Sequence, residues 1–132
     1  MAADVVFVVD DGMEIITDIL MATPPVGVVP KWVDMGTGAT PATATDTVLQ
    51  TPGAEARTVC VSTQQTTTVT NDTIRYVGTI VAAAPAAIVE CALFRHLTTT
   101  TTAMFLRATF DAINLLTGNS IEFTVNVKFD QG

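Results

Sequence analysis

Basic residues are scarce. Lys and Arg number 6 against 13 acids in 132 residues, for a net charge of −7. Cations this few and this scattered form no patch to neutralise phosphates, so nucleic acid is not an expected partner. Aromatic residues make up 6%, with Trp32 and Tyr76 each the single residue of its type, too few for a sugar-stacking ladder. The only histidine, His96, lies beside Arg95, and no G-x-S-x-G elbow occurs to supply a nucleophile. An exposed loop histidine and no enzyme are therefore expected. The two cysteines, Cys60 and Cys91, have no His or acidic neighbours at ligand spacing. Two buried thiols are expected, with a disulfide as the alternative if their strands are neighbours.

Targeting and membrane signals are thin as well. The opening MAADVVFVVDDG has acids where a signal peptide has a basic region. The apolar stretch between Arg75 and Arg95 contains Gly78, Pro85 and Glu90, and an acid inside a span is costly. No membrane partner is expected, and the chain is read as made in the cytoplasm.

What the sequence does have is threonine, 24 residues of it, and an apolar fraction of 48% with only 14% charged. Threonine is β-branched and suits an exposed sheet face. With a mean hydropathy of +0.45, the surface is either covered by Thr and Ala or buried in part against partners.

Along the chain, Met13, Ile16, Ile19 and Leu20 fall at helical spacing after Asp10 and Asp11, predicting one short helix at about 11–21 that stops before Pro24-Pro25. Either Asp serves as N-cap. The cluster Asp10, Asp11, Glu14 and Asp18 is read as a solvated helix start complementing the dipole rather than a metal site. Lys31–Met35 is a short strand, and Gly36-Thr37-Gly38 a tight turn, since no Lys and no following helix complete a phosphate loop.

An extended Pro/Ala/Thr-rich segment, about 39–54, has no periodicity. Strands then follow at Arg57–Ser62, Thr66–Thr70, Thr73–Ala82, Ile88–Phe94, Ala103–Phe110 and Ile121–Phe129. Asn71-Asp72 marks a hairpin, and the five threonines Thr98–Thr102 an exposed loop or strand end. The last strand alternates most clearly, with Ile121, Phe123, Val125, Val127 and Phe129 on one side. Together these predict a single mainly β domain over 1–132, an antiparallel β-sandwich or jelly-roll-like barrel with one short N-terminal helix. Trp32, Tyr76, Ile121, Phe123, Val125 and Val127 are the candidate core.

Several stretches carry a resemblance. They are Trp32-Val33-Asp34-Met35-Gly36-Thr37-Gly38, Ala44-Thr45-Asp46-Thr47-Val48-Leu49 and Glu55-Ala56-Arg57. Thr68–Thr73 followed by Val77-Gly78-Thr79, Glu90-Cys91-Ala92-Leu93-Phe94, Phe105-Leu106-Arg107 and Thr117–Phe123 continue it. Over about residues 11–129 the chain resembles small bacteriophage virion structural proteins, which are head decoration (cement) proteins or tail-fibre-like proteins. The five-threonine run, Cys91 and Ala2–Val9 depart from that pattern. The resemblance implies no catalytic residues, no cofactor and no metal.

It implies instead a homo-oligomer on the capsid surface of the virion, with the major capsid protein and other copies of the chain as partners. A tail or baseplate component is the alternative, and a carbohydrate-binding or hydrolytic β-domain a third reading from another class. Segments outside the strand core are expected to meet those partners: Val5, Val6, Phe7 and Val8 in the first, and Pro41, Thr45, Asp46, Leu49 and Pro52 in the second. The rival view of 1–9 makes it a first strand of the chain's own sheet.

Overall fold

A computed structural model describes residues 5–21, 29–98 and 103–130. Among them, eight strands and one helix run in the order β1 (Val5–Val8), α1 (Asp10–Met21), β2 (Trp32–Gly36), β3 (Thr58–Val59), β4 (Val61–Gln65), β5 (Thr73–Val81), β6 (Ala86–Phe94), β7 (Met104–Leu115) and β8 (Ser120–Lys128). Two antiparallel sheets result, a larger one ordered β1-β7-β6-β2-β3 and a smaller one ordered β4-β5-β8. The mainly β, sandwich-like expectation holds. The barrel does not, because the two sheets keep separate edges.

Period-2 alternation sets the core between the sheets. Val33 and Met35 of β2, Cys91 and Leu93 of β6, and Leu106, Ala108 and Phe110 of β7 meet Tyr76 and Ile80 of β5 and Ile121 and Phe123 of β8. Phe110 and Phe123 join the sheets as a tilted pair, centroids 6.2 Å apart at 51°. Val125 and Val127 are half-buried against this core. Trp32 is half-buried too, packed on a second cluster formed by Val9, Leu49, Ala92, Phe94 and Met104. Phe129 is a correction: β8 ends at Lys128 and Phe129 stands 52% exposed.

The helix begins at Asp10, so both acids lie within its first turn. Asp18 pairs with Arg95 at 3.2 Å. The apolar run before it is a strand of the chain's own sheet, Val6 to Val8 pairing with Ala108 to Leu106 of β7. Val6 and Phe7 remain exposed and Val8 half-buried.

β6 starts at Ala86, two residues before the expected Ile88, and other strand readings differ more. Arg57–Ser62 is not one strand. It breaks at Cys60, whose amide donates to the Lys31 carbonyl at 2.6 Å while the chain crosses from the larger to the smaller sheet. Thr66–Thr70 is a loop, because the Asp72 carboxylate accepts the amides of Thr67, Thr68 and Val69 at 2.8, 2.9 and 2.9 Å and outcompetes strand pairing. Asn71 takes the left-handed conformation there, φ 60°. β7 continues past Phe110 to Leu115, since its far end pairs with Ala86–Ile88.

Cys60 and Cys91 are both buried and free. Cys60 sits in the break between β3 and β4, neither of which pairs with β6, the strand of Cys91, and burial pushes the thiols up to about 11 and about 12. Of the five-threonine run, 99–102 lie outside the described residues.

Candidate functional site

The outer face of the larger sheet should be polar if it met water. Instead Asp34, Glu90, Ala92, Phe94, Met104 and Arg107 are all buried there. The 37–53 segment lies over this face, and a charge pair beneath it holds it. Arg107 stands opposite Ala92 and Glu90 opposite Thr109, so the two are diagonal neighbours on one face. Glu90 is 0% exposed and Arg107 2%. Arg107 Nε donates to Glu90 Oε2 at 2.8 Å, and Nη2 lies 2.8 Å from the same oxygen.

A buried pair of this kind is stable only if its remaining valences are met. The segment meets them. Glu90 Oε1 accepts the amides of Gly38 and Thr51 at 3.0 and 2.8 Å, and Oε2 accepts that of Gln50 at 3.0 Å. Arg107 Nη1 donates to Asp46 at 2.9 Å and Nη2 to the Thr40 carbonyl at 2.9 Å. Asp46 also accepts the Thr43 amide at 2.8 Å and its hydroxyl at 3.0 Å. Thr40 and Gln50 bond each other across the loop. Burial alone would raise the Asp46 carboxyl, but the Thr43 amide and Arg107 outweigh it and hold it below the usual carboxylate range. The same two carboxylates hold the Arg107 guanidinium above its ordinary value despite burial.

Gly36-Thr37-Gly38 is therefore not the tight turn expected. It is the seam where the segment joins β2: the Thr37 amide donates to Thr51 O and the Gly53 amide to Met35 O, both at 2.9 Å, with Gly36 bridged to Pro52. A Cβ on Gly36 would strike Thr51 O and Glu90 Oε1, and one on Gly38 the same Glu90 oxygen and Gln50. The backbones approach this closely only because both positions are glycine.

A second buried base and a second buried acid, Arg57 and Asp34, flank this pair. Arg57 lies 3.5 Å over the Phe94 ring and donates to the carbonyls of His96 and Thr98, each at 2.9 Å. Asp34 lies near it. Burial pushes the Asp34 carboxyl up to about 6, against the opposing pull of the Met35 amide and Arg57. His96 is half-buried at this end of β6.

The expected contact residues thus divide. Pro41, Thr45 and Pro52 are exposed on the segment, beside Thr47 and Val48. Asp46 is half-buried, turned onto Arg107. Leu49 is a correction: at 3% exposure it belongs to the chain's own core and has no surface to offer a partner. Val6 and Phe7 are exposed on an edge strand, whereas Val8 packs inward; of Val5 only the backbone pairing with Thr109 is described.

Sequence reasoning missed Glu90 and Arg107. Their signal was present: each is a charge inside an otherwise apolar strand run, and charges are almost never fully buried unless paired. Among the described residues, no group of three or more His, Cys, Asp or Glu is placed to hold a metal, and no helix is long and apolar enough to cross a membrane. No family model, curated protein or solved structure matches this chain.

Proposed function

We propose that the chain is a structural protein of a bacteriophage particle, a capsid decoration (cement) protein. It binds the outer head surface, bridges major capsid protein subunits and assembles with copies of itself. The sequence resemblance suggests the particle. The observation that carries the assembly role is the pinned segment, whose conformation is fixed from beneath by Glu90 and Arg107 before any partner arrives. Binding loses most when it must order a loop. A segment already ordered by its own chain presents Pro41, Thr45, Thr47 and Val48 without that loss, and Val48 is 52% exposed. A protein that binds only the assembled shell stabilises it by mass action, and many copies multiply weak contacts.

The test adds purified chain to expanded heads that lack it. Heads should bind it and release DNA at a higher temperature. Val48→Asp should weaken that binding while leaving the unfolding midpoint of the free chain in place, because exposed substitutions stay within about 0.5 kcal/mol. Label on tails rather than heads would replace this reading with the tail or baseplate one. Failure to bind either would end both.

A further inference from the structure

β8 is a long, regular, free edge. It pairs with β5 over nine consecutive positions with no bulge, from Thr73–Lys128 to Val81–Ser120, and no strand lies on its other side among the described residues. The other sheet edges are four, two and five residues long. Natural sheets blunt long edges with proline, bulges, brevity or charge; β8 has no proline or bulge, is not short, and carries only Glu122 and Lys128, two charges of opposite sign.

The direction of its free groups follows from its ends. Ala82 donates to Asn119 O at 2.8 Å, and Phe129 donates to Asp72 O at 2.9 Å. Odd-numbered residues of β8 therefore bond toward β5, and Glu122, Thr124, Asn126 and Lys128 point their N–H and C=O groups away from it. The apolar side chains lose cover along the strand: Ile121 and Phe123 are buried, Val125 and Val127 half-buried, and Phe129 exposed. A groove of about 400 Å³ opens along this flank, lined by Val6, Leu106, Ala108 and Phe110 on one side and by Ile121–Asn126 of β8, polar and apolar residues alike, on the other.

We propose that the occupant of this edge is β8 of a second copy, paired antiparallel about a two-fold axis at Val125, which fuses two three-stranded sheets into one of six. Outward groups must face outward groups, so only even-with-even pairings are allowed. Among these, the register centred on Val125 sets Glu122 opposite Lys128 of the second copy, twice by symmetry. Centring on Thr124 sets Glu122 against Asn126, and centring on Asn126 sets it against Asp130, a like charge. The Val125 register also sets the two Val125 side chains against each other, Val127 against Phe123 and the exposed Phe129 against Ile121, so the side chains left half-covered or exposed within one copy gain cover from the second. Lys128 is free to make the exchange, since its present partners are the exposed Thr68 hydroxyl at 2.8 Å and Asp130 at 3.2 Å. The pairing rests on the edge alone and holds whether or not the chain belongs to a phage head.

Sedimentation equilibrium of the full chain over a concentration series tests it. The expected particle is twice the 13.9 kDa chain mass. Glu122→Lys alone and Lys128→Glu alone should each raise the dimer Kd at least about tenfold, since each sets like charges across the axis. The double exchange should restore it, because Glu122 and Lys128 are far apart within one copy and meet only between copies. Val125→Cys should give an oxidised covalent dimer, as a non-hydrogen-bonded pair brings the two Cα atoms to about 4.5 Å. Thr79→Cys, on β5, should not. A chain that stays monomeric throughout, or a dimer indifferent to both single exchanges, would overturn the proposal.

Discussion

The two faces of the larger sheet solve burial differently. Its inner face meets the smaller sheet through apolar side chains such as Leu106, Phe110 and Phe123, an arrangement that needs only shape and alternation. Its outer face is covered by a loop, and loop backbone brings polar groups that must be satisfied. Glu90 and Arg107 are there to satisfy them: a carboxylate offers acceptors for three loop amides, and a guanidinium reaches a loop carbonyl and a loop carboxylate. Apolar packing holds a strand against a strand. A buried ion pair holds irregular backbone against a strand.

The sharpest way to break that contrast is at Glu90. Glu90→Ala leaves three amides and Arg107 Nε without their acceptor, and breaking a buried pair in this way costs about 3–5 kcal/mol. Hydrogen exchange should show Gly38, Gln50 and Thr51 amides exposed while the β5–β8 ladder stays protected. Uniform exchange would mean that the two faces do not differ as described.

Across the inner face, Phe123→Ala on β8 of the smaller sheet removes one ring of the Phe110–Phe123 pair and should cost about 3–4 kcal/mol in chemical denaturation. That loss should be global, reaching both sheets, with no selective opening of 37–53.

A smaller effect sharpens the comparison through pH. The Asp34 carboxyl is raised by burial from 3.8 to about 6, so between those values the folded chain holds a proton that the unfolded chain has released. This group's contribution to stability therefore rises as pH falls from about 7 to about 4, by on the order of 2–3 kcal/mol. Asp46, held low, contributes in the opposite sense, and its contribution is lost only at more acid pH. Asp34→Asn should flatten the slope over that window in urea midpoints. An unchanged slope would place its origin elsewhere.

How well each part could be read from sequence follows the same division. β8 was legible because one face is buried and the other is not, which writes Ile121, Phe123, Val125 and Val127 in period two. Only its end was misjudged, since Phe129 continues the pattern past the last pairing with β5. β6 and β7 were harder, because cover on both faces erases alternation. The break at Cys60 left no mark in composition: both halves are β-prone, and the switch depends on which sheet each half reaches.

The 37–53 segment was illegible for a different reason. Its pattern lacks periodicity because its fixed points lie elsewhere in the chain, Glu90 and Arg107 being 39 to 67 residues away from the atoms they hold. By itself, then, the sequence determined what depends on neighbours in the chain: the helix after Asp10, the strand-rich class, the alternation of β8, and an excess of apolar surface over charge. Tertiary structure alone decided which charges would be buried together, and with them the course of the loop above. The physical reason is that a buried charge is tolerable only beside its complement, and that complement is chosen by strand register rather than by sequence distance.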